Sequence, residues 1–439
     1  MVQIKAVKFG GSSLADAEQF KKVANIIKAE PERRYVVASA PGKRFDGDTK
    51  ITDMLYEAYN RADAGEDIGD IFAKIQGRFE SIISGLALDI NLGADFERIR
   101  AALYHHPGRD YAASRGEYLN SRILAAYLGF DFIDTAKYIF FKDDGSFDAE
   151  KTNDLLSECL SQHEYAVLPG FYGSMPNGTI KTFSRGGSDI TGSIVARAAG
   201  ADLYENWTDV SGFMMADPRI VHNPRTIDEI TYRELRELSY MGATVLHEDA
   251  IFPVRFAGIP INIRNTNRPE DRGTMIVPQS DYYNYETVIT GIAGKKGLSV
   301  LNIEKDMMNS EVGFGRKVLE VLETNNINFE HLPSGIDTMS VVISDKELEG
   351  KTDRMITEIC RSTNPDNISV EHGLALIAVV GRGMISAKGT AARVFRAAAS
   401  KGVNIRMIDQ GSSEINIIIG VSETDYPRAI EAIYEEFVK

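Results

Sequence analysis

The sequence predicts an α/β fold with a mainly parallel central sheet over residues 1–280, followed by a small module present twice. Three observations predict it. Short apolar segments alternate with stretches of helical spacing through the N-terminal part. Two glycine-rich turns, KFGGSS at Lys8–Ser13 and SRGGSD at Ser184–Asp189, each follow a strand-like segment and lead into a helix-like one. Beyond a polar, broken segment at Pro269–Ser280, the chain repeats itself.

The elements follow in order. Residues 3–8 alternate into an apolar strand that the glycines end. Residues 15–29 carry Phe20, Val23, Ile26 and Ile27 on one helical face. Residues 35–38 read as a buried strand, 51–62 as a helix and 118–127 as another, with Glu117 at its start. A strand at 165–168 stops at Pro169 and Gly170, and 188–199 is a helix rich in small residues. In the tail, a shift of 76 residues without a gap places Gly297 on Gly373, Ser310 on Ser386, Gly313 on Gly389, Val318 on Val394 and Asn328 on Asn404. Val341–Ile343 falls on Ile417–Ile419 by the same shift. That period is too long for a solenoid, so the tail is a duplicated domain, divided at 287–370 and 371–439, with 287–293 a candidate strand of the last module. The alternative to a functional duplication is two copies that only pack together.

Composition narrows the function. Lys plus Arg is 49 against 63 Asp plus Glu, a net charge of −14, which argues against a nucleic-acid surface. Two cysteines, Cys159 and Cys360, are too few for a disulfide framework and fit a reducing compartment. The start MVQIKAVKFGG lacks a signal-peptide core, and no apolar run approaches the roughly 20 residues of a membrane helix. A soluble cytoplasmic protein is the expectation.

The two glycine turns carry the chemistry. Each sets backbone amides beside one cation, so together they fit a site that brings two anionic groups close. Lys8 precedes its glycines, unlike the lysine of a Walker A loop. The amides of Gly10, Gly11 and Ser12 are candidates for an anion nest; a tight strand–helix turn is the blander reading. In SRGGSD, Arg185 offers a fork for a carboxylate or phosphate, and Asp189 is placed to orient Lys8; a solvated surface turn is the alternative. Glu117, in SRGEYLN, is either a ligand or a carboxylate complementing a helix dipole. Thr208 and Asp209 fall at a strand end, where open α/β sheets bind ligands. The histidines and cysteines show no metal-ligand spacing: His105 and His106 read as solvated, His247 as structural. The pair Met307–Met308 reads as core.

KFGGSS, SRGEYLN, SRGGSD, WTDVSG…ADPR and MGATVLHEDA, with the doubled tail, together resemble the aspartate kinases, over the whole chain and in the family's order. The resemblance implies an amino-acid-kinase catalytic domain followed by two ferredoxin-like ACT regulatory domains. It implies transfer of phosphate from ATP, with Mg²⁺, to the β-carboxylate of L-aspartate. The product, 4-phospho-L-aspartate, feeds lysine, threonine, methionine and diaminopimelate synthesis. By position, Lys8 matches the lysine that neutralises the transferring group, and Gly10, Gly11 and Ser12 the phosphate loop. Asp189 matches the acid that organises the site. Glu117 and Arg185 match the residues that hold the α-amine and α-carboxylate of aspartate. Ser39 and Thr52 match contacts to its other end, and Thr208, Asp209 and Arg219 match nucleotide contacts. No protein ligand for Mg²⁺ is assigned.

The chain departs from the family pattern at Ser184, Ser211, Met214, Thr244 and Glu248, all toward the nucleotide side. Two other readings are an acetylglutamate or uridylate kinase, which lacks the doubled tail, and a non-enzymatic sensor, which would not retain Lys8 and Asp189. ACT modules imply a homodimer or tetramer and an amino-acid effector. In the first copy the loop with Met308, Ser310, Gly313 and Phe314 faces, by family analogy, a segment with Glu330 and Asp337. Their partners 76 residues on are Arg406 and Ser413. Two carboxylates suit a ligand with an extra ammonium, which favours L-lysine.

Overall fold

The computed structural model describes residues 3–438 apart from 185, 244, 245, 247 and 281–287. Arg185, Thr244 and His247 therefore lie outside the described residues. The chain divides into two compact units. One comprises Met1–Phe213, Thr226–Leu235 and Thr244–Asp281; the other comprises Met214–Arg225, Arg236–Ala243 and Tyr282–Lys439.

The first unit is built on an eight-stranded sheet. Its strands are β1 (Lys5–Phe9), β2 (Arg33–Ala38), β3 (Asp131–Phe132), β4 (Ala166–Pro169), β7 (Leu203–Thr208), β8 (Glu229–Thr231), β9 (Ile261–Asn265) and β10 (Thr274–Val277); β5 (Tyr172–Ser174) and β6 (Ile180–Thr182) form a separate hairpin. The order is β3-β4-β2-β1-β7-β9-β10-β8, parallel throughout except between β9 and β10. Strands β1, β2 and β4 are almost wholly buried, as expected of parallel strands covered on both faces.

The helices of this unit that bear on the site are α1 (Ala17–Ala29), α2 (Ile51–Asp63), α3 (Gly69–Gly85), α4 (Gly93–Leu103), α5 (Arg109–Leu128), α6 (Ala149–Ser161) and α7 (Gly187–Ala198). Asp16 caps α1 by accepting from the Gln19 amide at 3.0 Å, and Phe20, Val23, Ile26 and Ile27 are buried as their spacing predicts. The core joins these to Leu55, Phe72, Phe79, Phe96 and Trp207.

Helix α5 corrects the sequence reading. It begins at Arg109, after Gly108 at φ +91°, so Glu117 sits in its middle and not at its start. Gly116 looked like a boundary signal. It is a contact instead: a Cβ there would lie 2.8 Å from the Cβ of Ala40. Close packing outweighs the weak helix propensity of glycine, and the dipole-complement reading of Glu117 falls with the boundary.

The second unit holds one five-stranded antiparallel sheet, ordered β12-β11-β13-β15-β14. The strands are β11 (Gly291–Glu304), β12 (Thr338–Ser344), β13 (Asn367–Val380), β14 (Met407–Asp409) and β15 (Asn416–Ser422). Four of its helices continue the numbering: α8 (Phe314–Thr324), α9 (Thr352–Thr363), α10 (Thr390–Ser400) and α11 (Tyr426–Phe437). The C-terminal half of β11 pairs with β12 and the start of β13; its first half, Gly291–Lys295, pairs with Leu376–Val380. Each module thus takes half of one long strand from the other. Gly297 and Gly373, at φ +75° and +78°, mark the matching bends.

The gapless repeat holds through α8 and α10, which are offset by 76 residues and each capped by a left-handed glycine, Gly313 and Gly389. It fails at the last strand. Leu301 pairs with Val341, and Ile377, its counterpart, pairs with Ile419, an offset of 78. The counterpart of Asp337 is therefore Ile415, not Ser413. A slip of two residues keeps every strand side chain on its face, so the apolar pattern coincided anyway. Met308 is core as expected, but Met307 is 68% exposed.

Candidate active site

Lys8, Asp189 and Thr208 lie where the parallel strands end. Lys8 lies on β1, one residue before the glycine turn, and is buried. Its ammonium meets the Asp189 carboxylate at 2.5 Å. Asn206, on the neighbouring strand β7, donates to the same carboxylate at 2.9 Å. Lys8 and Asp189 are 181 residues apart in sequence. They meet because β1 and the first turn of α7 share the carboxyl edge of the sheet, where open α/β sheets bind ligands.

Gly10 stands beside this pair, 3.6 Å from the Lys8 ammonium by a Cβ built on its backbone. Its amide does not join an anion nest. It donates to the Trp207 carbonyl at 3.0 Å and locks the turn to β7. Gly11–Leu14 then form one 3-10 turn, and the first amides of such a turn, at Gly11 and Ser12, have no acceptor within it. Two amides and the Lys8 ammonium, not three amides, are thus the candidates for holding an anion. Ser13, buried one turn on, bonds Thr266 side chain to side chain at 2.7 Å.

A second wall faces the loop after β2. The Ser39 amide donates to the Phe9 carbonyl at 3.2 Å, and Asn120 on α5 donates to the Ser39 carbonyl at 2.7 Å. Thr52 lies in the first turn of α2, whose Ile51 amide reaches back to the Pro41 carbonyl. Glu117 is only 6% exposed, and its Oε2 is buried with no hydrogen-bond partner. Burial pushes its carboxyl up to about 8; the Ala40 amide, its own amide and the Arg115 guanidinium pull the other way and lose. Arg115 is itself buried and lies over the rings of Tyr111, Tyr118 and Tyr172, 4.5–5.2 Å from their centroids. A buried, unsatisfied carboxyl is expensive unless something arrives to pair with it. An ammonium group fits that requirement.

Thr208 ends β7, with Asp209 exposed beside it and 3.2 Å from its hydroxyl. Ser211, where the family pattern has aspartate, donates to Asp271 at 2.5 Å. A carboxylate from elsewhere in the chain thus stands next to the missing one. Arg219 belongs to the second unit, where it is exposed and pairs with Asp217 at 2.7 Å.

Sequence reasoning passed over several residues. Asn206 lies outside every motif and Asn120, the last residue of SRGEYLN, was given no role; both act only through neighbours distant in sequence. Phe171 follows the glycine that ends β4 and holds φ +81°, an outlier for a bulky side chain. Arg78 was legible in principle: it falls on the buried face of α3 with Ile71, Phe72, Ile75, Phe79 and Ile82.

In the second unit, Phe314 is buried behind Gly313, and the Asn309 amide donates to the Ile336 carbonyl at 3.0 Å. Asp337 accepts from the Met307 amide at 3.0 Å, so it does meet the loop with Met308 and Ser310. Glu330 does not share that place. Its amide pairs with Val342, four residues along β12 from Thr338, about 13 Å of strand. Its carboxylate is already engaged by the Lys295 ammonium and the Tyr240 hydroxyl, each at 2.5 Å. The two carboxylates do not flank one ligand.

Comparison with known proteins agrees with the fold. A model of the amino acid kinase family matches residues 3–265, and an ACT-domain model matches residues 377–437. The first unit is therefore a kinase fold and the second an ACT-type regulatory fold. Aspartokinase 3 of Bacillus subtilis is 39% identical over 99% of this chain and 98% of its own length. The crystal structure of Clostridium acetobutylicum aspartate kinase is 52% identical, with a TM-score of 0.91 over 99% of this chain and 100% of that one. E. coli aspartokinase III, in complex with aspartate and ADP, shares the fold at 24% identity and a TM-score of 0.76, each chain being fully covered. The chain belongs to the amino acid kinase family and, within it, to the aspartate kinases.

Proposed function

We propose that this chain transfers the γ-phosphoryl group of ATP to the β-carboxylate of L-aspartate, giving 4-phospho-L-aspartate and ADP. The observation that carries the reading is the ion pair of buried Lys8 with half-buried Asp189 beside the Gly10–Gly11 turn, with the buried Glu117 carboxyl, whose Oε2 has no partner, on the adjoining wall. A carboxylate oxygen of aspartate attacks the γ-phosphorus, the bond to the β-phosphate oxygen breaks, and its electron pair leaves with ADP. The acceptor is already ionised at neutral pH, its reference pKa being about 3.9, so no general base is required. The barrier is the approach of two anions. Catalysis then rests on positioning and charge neutralisation. Lys8, held in place by Asp189 and Asn206, neutralises the transferring group; Gly11 and Ser12 supply amides to phosphate; Thr208 and Asp209 lie on the nucleotide side. Glu117 receives the α-ammonium, Arg185 the α-carboxylate, and Ser39 and Thr52 border the side-chain end.

Among the described residues, no group of three or more His, Cys, Asp or Glu side chains is arranged to hold a metal ion. Mg²⁺ would enter with ATP and add charge neutralisation. Also among these residues, no helix is long and apolar enough to cross a membrane, and a cytoplasmic enzyme at the head of lysine, threonine, methionine and diaminopimelate synthesis is the reading we favour. We divide the chain into a catalytic domain at 1–280 and two regulatory modules that exchange strand halves. L-lysine remains the favoured effector, now through the exposed Asp337 beside the loop 307–314 rather than through paired carboxylates. The test is a coupled ADP-release assay with a hydroxamate assay for acyl phosphate, run with L-aspartate and repeated with lysine, threonine and methionine. Hydroxamate formation with aspartate and not with glutamate supports the reading; ADP release without hydroxamate refutes it.

A further inference from the structure

The loop after β2 and the glycine turn after β1 touch backbone to backbone. The Gly42 amide donates to the Gly11 carbonyl at 2.8 Å. Neither residue has room for a side chain: a Cβ on Gly42 would lie 2.6 Å from the Gly11 carbonyl carbon, and one on Gly11 would lie 2.9 Å from the Ala40 carbonyl oxygen. On the proposed function one turn faces phosphate and the other the acceptor, and main-chain contact sets how closely the two can approach.

A single side chain grips both. Arg78 is 5% exposed. Its Nε donates to the Ala15 carbonyl at 3.2 Å, just past the phosphate-side turn. Its Nη2 donates to the Gly42 carbonyl at 2.7 Å and its Nη1 to the Asp48 carboxylate at 2.9 Å, both on the acceptor-side loop. Asp48 then gathers the rest of that loop, accepting from the Arg44 amide and from its guanidinium at 2.9–3.0 Å. These bonds and the Arg78 cation hold the Asp48 carboxyl far below the usual carboxylate range. The base of the grip is rigid. Helix α3 lies so close to α1 that a Cβ on Gly85 would meet the Cβ of Ala17 at 2.6 Å.

We propose that Arg78 is a positioning residue for phosphoryl transfer: it clamps the phosphate-side and acceptor-side loops at their working separation. A solubilising arginine would not sit in the core, and a merely structural ion pair would not need two backbone carbonyls from two different active-site loops. The planar fork of arginine reaches three acceptors in fixed directions, which a lysine cannot reproduce. In-line transfer is sensitive to misplacement, and about 1 Å can lower the rate by about 10²-fold.

The inference rests on the aspartate kinase reading, and its test separates the two. Native enzyme, Arg78→Lys and the core control Phe79→Leu on the same helix are compared by thermal midpoint, by steady-state kinetics and by hydrogen exchange. Arg78→Lys is expected to lower kcat by about 10–100-fold while both KM values move less than about threefold. Exchange should rise at residues 10–15 and 39–50 and stay unchanged in α3. Phe79→Leu should shift the midpoint as much or more and keep its kcat. Turnover of Arg78→Lys within threefold of native, or loop exchange unchanged in it, overturns the clamp. An equal kcat loss in Phe79→Leu also overturns it, since stability alone would then explain the effect. The exchange result needs no substrate, so it stands even if native enzyme fails to phosphorylate aspartate.

Discussion

The proposed pairing of Glu117 with the α-ammonium of aspartate predicts that the affinity for aspartate depends on pH. Its carboxyl is held at about 8 by burial, against an ordinary value of 4.5. At pH 7 only about a tenth of the free enzyme then carries the carboxylate that an α-ammonium needs. Deprotonation before binding costs about 1 kcal/mol at pH 7 and about 3 kcal/mol at pH 6. KM for aspartate is expected to fall about tenfold per unit from pH 6 to 7, and about fifty-fold in total by pH 8, and then to level off. The neighbours that bear on the titration are the Arg115 cation, which favours the carboxylate, and Tyr56, whose hydroxyl feels the Glu117 charge from α2. The assay is the initial rate against aspartate concentration at saturating ATP from pH 6 to 9. Calorimetry in two buffers of different ionisation enthalpy adds a direct proton count, expected near one proton released per aspartate at pH 7 or below. Glu117→Gln should remove the pH slope and raise KM by about 10–100-fold, as for loss of a charge-assisted hydrogen bond. A KM that is flat from pH 6 to 8, with heats that do not depend on buffer, would refute the reasoning. The same burial touches folding: this group contributes stability below its unfolded value near 4.5 and loses it as pH rises through about 8.

Further outcomes follow from the other sites. Lys8→Ala should lower kcat by about 10²–10³-fold, as for one preorganised electrostatic group; near-native turnover in a folded variant would remove Lys8 from the chemistry. Lysine should inhibit native enzyme with a coupling of about 1–3 kcal/mol, and Asp337→Asn should weaken that inhibition while leaving uninhibited turnover unchanged. Inhibition by threonine and not by lysine would show that the charge argument fails. The outer edge of β12 bonds to residues 330–334, which leaves β14 as the edge of the five-stranded sheet, with Ile408 53% exposed; such an edge is usually covered, so light scattering should report a dimer or tetramer at micromolar concentration. A monomer with and without lysine would count against it.

The sequence by itself determined the class of fold, the duplication and the two loops that carry the cations. Helical and strand periodicity follow from backbone geometry, and short motifs record where glycine must let chains approach. Tertiary structure decided what each motif does. Gly116 read as a stop and is a contact, because only the packed fold brings Ala40 beside it. The Gly10 amide read as free and is taken by Trp207, because strand order is not written in either segment. The two-residue slip in the second module left no trace in polarity, since strand side chains repeat every second residue. Family analogy put Glu330 and Asp337 on one segment facing one loop, yet the returning strand carries them away from each other. Arg78 shows the same limit from the other side: helical spacing could have shown it on the apolar face of α3, but only the fold supplied the two carbonyls and the carboxylate that it joins.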